Sequence, residues 1–367
     1  MEDILEIYGG KPLKGAVEVG GAKNAALPMI ICSLLTADSC RLRNVPRLLD
    51  VDLLAKLIGQ LGGSAQFRER NELSISIPSL TSHEASYSLV KSLRASFWVL
   101  APLLARGGSA RVAMPGGDLI GARPVDIHLE ALQDMGADIR VKNGIVIADA
   151  PTGLKPAELS FRFPSVGATH QILMAAAATP GQTVICNAAR EPEVVAVGEL
   201  LSQMGAEIEG LGSSEIIIRG NDSLGGFDAT VIGDRIEAAS YLLAAVAATG
   251  SITVSGVLPE YFGDFSSVLE QLGAEVSWDT SNHAVTLTMH GRPDPIEIAT
   301  GPFPLFATDI QAPLLAALTL CNGESVISET VYEGRFGHVS ELSRLGAKIS
   351  LSGSRAAIQG VPCLTGA

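Results

Sequence analysis

Five times along the chain an amphipathic helix tail runs into a glycine and then into alternating residues. The segments are "LIGQLGGSAQF" from Leu57, "ALQDMGADIRV" from Ala131, "LLSQMGAEIEG" from Leu200, "VLEQLGAEVSW" from Val268 and "ELSRLGAKISL" from Glu341. In each, glycine stands where a helix C-terminus wants positive φ, and the alternation after it is that of a half-buried strand. The period is about 70 residues, too long for a solenoid repeat and suited to a small α/β unit. A tandem of like units is therefore predicted.

Each unit also carries a second, more apolar helix: "KNAALPMIICSLLTA", "RASFWVLAPLLARGG", "VGATHQILMAAAATPG", "RIEAASYLLAAVAATG" and "TDIQAPLLAALTLCNG". Most close on glycine before a β-type stretch such as "QTVICN", "SITVSG" or "ESVISE". Helices that are small and apolar all round belong in an interior. One buried helix, one amphipathic helix and about four short strands per unit follow, with the strands as an outer wall. The predicted fold class is α/β (α+β). Symmetric closure of such units favours three plus three, whereas the chain reaches "VPCLTGA" where a sixth buried helix is expected.

A length of 367 residues favours two domains. The net charge of −13 argues against nucleic acid or an anionic membrane as a partner. It leaves room for a small anion, because clustered cations outweigh a diffuse acidic field. The five cysteines (Cys32, Cys40, Cys186, Cys321 and Cys363) are scattered without a CxxC and read as buried thiols in a reducing compartment. The start, "MEDILEIYGG", lacks a basic n-region, and apolar runs such as 172–178 and 241–248 are too short to span a bilayer. A cytoplasmic location is expected. The six histidines are dispersed, no metal site is predicted, and His283 and His290 read as structural.

Polar residues open the buried helices: Lys23 and Asn24, Arg94, His170, Asp234 and Arg235, and Thr308 and Asp309. The first N–H groups of a helix are unpaired and its dipole is positive there, which attracts anions. If the buried helices pack in parallel, these ends converge on one cationic, donor-rich face. Any one of them is equally well an ordinary cap or an exposed charge, but Lys23 and Arg94 at matching positions favour function. A further stretch, "AMPGGDLIGARPVDIHLEAL" (113–132), has Pro115, Gly116, Gly117 and Gly121 in a loop carrying Asp118 and Arg123. It fits a mobile lid, or else a surface turn with a charged tip. Neither GxGxxG nor GxxxxGK[ST] occurs, since the lysine of "GGAKNA" is followed by asparagine.

Nine motifs in order, "GGAKNAALP", "NVPRLLDVD", "SLRASFWVLAPLLAR", "PGGDLIGARPVDIHLEAL", "SVGAT", "NAAREPEV", "GDRIEA", "FATDIQAP" and "EGRFGHVSELSRLGA", resemble the enolpyruvyl transferase family from about Ile4 onward. The resemblance is nearer to members acting on UDP-N-acetylglucosamine than to those acting on shikimate 3-phosphate, which have an "SKS" type motif where this chain has "AKN". It implies an inside-out α/β barrel fold: two domains, each of three βαβαββ units, crossed twice by the chain. Domain I would be 20–228, and domain II 1–19 with 229–367. The implied reaction moves the enolpyruvyl group of phosphoenolpyruvate onto the 3′-hydroxyl of UDP-N-acetylglucosamine and releases phosphate, the first committed step of peptidoglycan precursor synthesis. No cofactor, metal, nucleic acid or membrane is implied.

By the same resemblance Asp309 is the base near the 3′-hydroxyl, and Asp118 the proton donor. Lys23, Arg94 and Arg123 hold phosphoenolpyruvate, with Asn24 and Arg94 orienting it and the sugar. Arg123, Pro124, Val125, Asp126, Ile127 and His128, with Ser165, Val166 and Gly167, line the uridine diphosphate site; Val331 and Arg335 lie on the sugar side. Trp98 is as well placed for a core role as for the site.

The pattern is broken at three places. Many members carry cysteine where this chain has Asp118, and some carry aspartate; a carboxylic acid donates a proton when a dry site raises its pKa but is a poor nucleophile. Phe163 stands where some relatives have lysine. The sixth unit is expected but missing, with two arginines that grip the phosphoenolpyruvate carboxylate, and an apolar helix face would be left exposed. An incomplete chain is the simplest reading, a non-catalytic sugar-nucleotide-binding paralogue the alternative, and a shikimate 3-phosphate enzyme a second alternative.

Overall fold

The computed structural model describes residues 6–115 and 125–367. They fall into two compact units, a larger one of 20–115 with 125–233 and a smaller one of 6–19 with 234–367.

Five four-stranded sheets share one plan: an edge strand parallel to the second, which is antiparallel to the third, which is antiparallel to the fourth. In the larger unit they are, in spatial order, Asp228–Thr230, Cys40–Arg43, Leu73–Ser76 and Ser64–Phe67; Glu84–Ala85, Ser109–Ala113, Ile145–Asp149 and Asp138–Lys142; and Glu158–Ser160, Gly181–Cys186, Glu215–Gly220 and Glu207–Glu209. The smaller unit has Leu13–Glu18, Gly250–Ser255, Ala284–Met289 and Glu275–Asp279, then Glu297–Ala299, Glu324–Ser328, Arg355–Gln359 and Lys348–Ser352.

The antiparallel pairs close locally, but parallel pairs need a crossover. In two sheets the edge strand comes from far away. Asp228–Thr230 pairs with Cys40–Arg43, and Leu13–Glu18 pairs in register with Gly250–Ser255. The chain thus leaves the larger unit only after supplying its last edge strand.

The larger unit holds α1 (Lys23–Cys32), α2 (Leu49–Gln60), α3 (Tyr87–Ser92), α4 (Leu100–Gly107), α5 (Asp126–Asp134), α6 (Val166–Ala177) and α7 (Pro192–Gln203). The smaller unit holds α8 (Arg235–Ala248), α9 (Phe265–Gln271), α10 (Gln311–Leu318) and α11 (Val339–Arg344). All five predicted helix-ending glycines have positive φ: Gly62 (107°), Gly136 (92°), Gly205 (116°), Gly273 (87°) and Gly346 (91°). A strand follows each within two residues, as the alternation predicts.

Helices fill the interior and sheets cover it. Every residue of α1 from Ala25 to Cys32 is buried, as is every residue of α6 from Ala168 to Ala177. Strands alternate, as in Gly250–Ser255, where Ile252 and Val254 point inward. In the smaller unit α8 packs on α10, yet Tyr241, Ala244 and Ala248 of α8 and Ala312, Pro313 and Ala316 of α10 stay partly exposed. Among the described residues no helix is long and apolar enough to cross a membrane.

Two expectations are corrected. His170 does not open its helix: α6 begins at Val166, Ser165 is its cap, and His170 lies a turn inside, fully buried. The cysteines are not uniformly buried either. Cys32, Cys40 and Cys321 are, but Cys186 is half-buried and Cys363 exposed, because it follows the last strand rather than lying in one.

Candidate active site

In the larger unit, Lys23 and Asn24 form the exposed mouth of α1, immediately before its eight buried residues. Ala22 supplies no side-chain cap and the first turn has no acid, so a cation sits at the positive end of the dipole, an arrangement costing about 0.3–1 kcal/mol. Lys23 Nζ lies 3.0 Å from Asp50 Oδ2, both partly exposed. Such a pair is worth roughly 0–1 kcal/mol, so an incoming anion can compete for the ammonium.

Proline recurs in these helices. Pro28, Pro102 and Pro313 stand four residues after Asn24, Trp98 and Asp309. Proline has no N–H and crowds the carbonyl four residues back. The carbonyls of Asn24, Trp98 and Asp309 therefore receive no i+4 hydrogen bond. Residues Arg94–Val99 and Thr308–Ile310 wind as 3-10 turns ahead of α4 and α10, where continuous α-helix was expected, whereas α1 stays α-helical from Lys23 through Pro28.

Around the mouth of α6 the sequence-predicted residues gather. Ser165 Oγ accepts from the Ala168 amide (3.3 Å), capping the helix. Gly167 faces the His128 and Trp98 rings so closely that a Cβ there would lie 3.0 Å from His128 Cε1, 3.1 Å from Nε2 and 3.4 Å from Trp98 Nε1. One turn deeper, Gln171 Oε1 is 2.6 Å from His128 Nδ1. Gly167 and Gln171 share one face of α6, and the imidazole lies along it. Burial holds His128 near pKa 4, opposed by the Gln171 hydrogen bond and reinforced by the nearby Arg94 guanidinium. The ring is therefore neutral at pH 7.

Asp126 opens α5; its Oδ1 accepts from the Ile127 amide (2.9 Å), and its other oxygen meets Arg162. Arg162 also donates to Glu130 (2.9 Å). Val125 is buried and Val166 half-buried at these helix starts. Phe163 is 42% exposed. His170 packs edge-on to Trp98 (5.2 Å between centroids). Burial lowers its pKa to about 4, with the Glu193 backbone working weakly against this.

In the smaller unit Arg335 Nη2 lies 2.6 Å from Asp309 Oδ1, and Nη1 donates to Thr308 Oγ1 (3.2 Å). The Val331 amide donates to Glu329 Oε1 (2.9 Å). Asp309 and Arg335 are thus in contact, and Val331 is tied to them through Glu329, whose other oxygen accepts from Thr308 Oγ1 (2.9 Å). Asp234 caps α8 by accepting from the Ile236 and Glu237 amides, an ordinary cap role. Asp118, Arg123 and Pro124 lie outside the described residues. Reading the sequence missed Gln171, Arg162 and Glu329, and named Thr308 only as a polar residue opening its helix. Only Glu329 carried a usable signal, its place in the repeat. His283 and His290 flank one strand, both exposed, and no group of His, Cys, Asp and Glu among the described residues is arranged to hold a metal ion.

Interior helices under outer four-stranded sheets give the inside-out α/β architecture that the resemblance implied. A solved enolpyruvyl transferase, NikO from Streptomyces tendae, has this fold, with a TM-score of 0.85 at 24% identity over 97% of this chain and 84% of its own. EPSP synthase from Acinetobacter baumannii superposes with a TM-score of 0.71 at 17% identity, over the same shares. The EPSP synthase (3-phosphoshikimate 1-carboxyvinyltransferase) family matches residues 7–367, and the chain belongs to this family of enolpyruvyl transferases. Among curated relatives, UDP-N-acetylglucosamine 1-carboxyvinyltransferase 2 of Carboxydothermus hydrogenoformans is 45% identical over 98% of this chain and 86% of its own length. UDP-N-acetylglucosamine 1-carboxyvinyltransferase of Xanthobacter autotrophicus is 44% identical over 100% of this chain and 87% of its own.

Proposed function

We propose that this chain transfers the enolpyruvyl group of phosphoenolpyruvate to the 3′-hydroxyl of UDP-N-acetylglucosamine and releases phosphate, in the cytoplasm, for peptidoglycan precursor synthesis. The observation that carries this reading is identity of 44–45% across essentially the whole chain to relatives bearing that activity's name. The "AKN" of residues 22–24, in place of "SKS", favours the sugar nucleotide over shikimate 3-phosphate.

The reaction adds a proton to C3 of phosphoenolpyruvate while the sugar 3′-oxygen bonds to C2 and loses its own proton. Loss of phosphate, and of a proton from the new methyl group, then restores the double bond. Asp309 takes the hydroxyl proton, and Asp118 supplies the proton to carbon. Lys23, Arg94 and Arg123 hold the phosphate and the charge that develops around it. Asn24 orients both substrates. Residues 123–128 and 165–167 bind uridine diphosphate, and Val331 and Arg335 border the sugar. A neutral His128 beside the mouth of α6 suits that assignment, since it offers a fixed hydrogen-bonding edge without titrating near neutral pH.

The test is phosphate release by the purified chain with both substrates and with each alone. Release that needs both supports the reading; release with shikimate 3-phosphate in place of the sugar nucleotide overturns it.

A further inference from the structure

The five units repeat closely enough for one position to be compared across them. The residue after the second strand of a sheet is Asn44 in one and Asn187 in another. Each sends its amide back to the edge strand's chain: Asn44 Nδ2 to the Val231 carbonyl (3.1 Å) and Asn187 Nδ2 to the Phe161 carbonyl (2.8 Å). In the last sheet the same position is Glu329, facing Thr300 beyond its edge strand. An amide donor has become an acceptor-only carboxylate, only 2% exposed.

All its hydrogen bonds run inward. Oε1 accepts from Thr300 Oγ1 (2.8 Å) and from the amides of Val331 (2.9 Å) and Tyr332 (3.0 Å). Oε2 accepts from Thr308 Oγ1 (2.9 Å). An arginine can only donate, so Arg335 Nη1 gives its proton to Thr308 Oγ1, and the hydroxyl must pass its own to Glu329. One buried side chain thereby grips two separate elements. It holds the 3-10 turn that carries Asp309, and it holds the turn at 331–332 that leads to Arg335.

We infer that Glu329, acting through Thr308, is a positioning residue that fixes Asp309 and Arg335 against each other at the geometry the reaction needs. The sheet does not require a carboxylate, since Asn44 and Asn187 serve two sister sheets. Its cost is a desolvated carboxyl group, which is compensated only because every oxygen is hydrogen-bonded. This inference rests on the reading of Asp309 as the base.

The repeat supplies the test variant, Glu329→Asn, which installs the residue used by two sister sheets and should leave the fold intact. Steady-state phosphate release, normalised to folded protein, is expected to show kcat reduced by about 10²-fold, the scale of an ångström's misplacement. KM for phosphoenolpyruvate should change by no more than about twofold. Thr308→Val should match it, Thr308→Ser should restore most of the rate, and the Glu329→Asn, Thr308→Val double variant should be no worse than either single. Wild-type kcat in Glu329→Asn, or fully additive losses, would overturn the inference. A crystal structure of Glu329→Asn separates this from the functional reading: an Asp309–Arg335 contact unchanged at 2.6 Å overturns the inference whether or not the chain turns over. Loss of that contact with the sheets intact supports it. Absence of phosphate release from the wild type counts against the functional reading alone.

Discussion

Arg335 and Asp309 are joined by a 2.6 Å contact between Nη2 and Oδ1, with the arginine 22% and the aspartate 37% exposed. A carboxylate can accept the proton of a substrate hydroxyl, which a carboxamide cannot. Asp309→Asn preserves size and can still accept from Arg335, but it cannot take a proton. Phosphate release should fall by about 10²–10⁴-fold. Binding of UDP-N-acetylglucosamine, measured by calorimetry, should weaken by less than about tenfold. A variant retaining half the wild-type rate would remove Asp309 from the role of base.

Gly167→Ala sets two effects against each other. Alanine in a helix is favoured over glycine by about 1 kcal/mol. Here, though, the new methyl would sit 3.0 Å from His128 Cε1 and 3.1 Å from Nε2, so the ring must give way while Gln171 holds its Nδ1. The melting temperature should therefore move little, whereas sugar-nucleotide affinity should drop by about tenfold, or 1.4 kcal/mol. Unchanged affinity would detach this corner from the binding site.

His128 and His170 are both held near pKa 4, against an ordinary value of 6.5. The unfolded chain binds more protons than the folded one between those values, so stability rises with pH there and is lost as pH falls from about 6.5 towards 4. Each histidine accounts for roughly 3 kcal/mol over that window. His170→Phe keeps the edge-on ring against Trp98 and removes one titration. Urea unfolding at several pH values should give a shallower slope below pH 6.5 than wild type; an identical slope would contradict the burial assignment.

The repeat was the most legible part of the chain. Gly62, Gly136, Gly205, Gly273 and Gly346 each end a helix at positive φ because an apolar helix tail, a glycine and an alternating strand leave the backbone few alternatives. The edge strand Asp228–Thr230 was not legible in this way. Three residues carry no period, and the partner, Cys40–Arg43, lies far back in the chain. His170 misled because polarity near a helix start looks like a cap, and only packing shows that it points into the interior. Glu329 was readable in principle once the units were aligned on their strands, beside Asn44 and Asn187. What it grips, Thr308 and the Val331 and Tyr332 amides, depends on side-chain geometry that no local pattern encodes.

Many members of the family have cysteine where this chain has Asp118, so position 118 offers no thiolate for an epoxide to alkylate. Fosfomycin should cause no time-dependent loss of activity and no mass increase at Asp118. Asp118→Cys should become sensitive, with one adduct located at that position. Covalent labelling of Asp118 in the wild type would refute this.

The most direct measurement is phosphate release by the full chain supplied with phosphoenolpyruvate and UDP-N-acetylglucosamine, together and singly. Release that requires both, abolished in Asp309→Asn, is the predicted result. No release from folded protein that binds the sugar nucleotide would contradict the proposed enolpyruvyl transfer and leave this chain as a binder of sugar nucleotides.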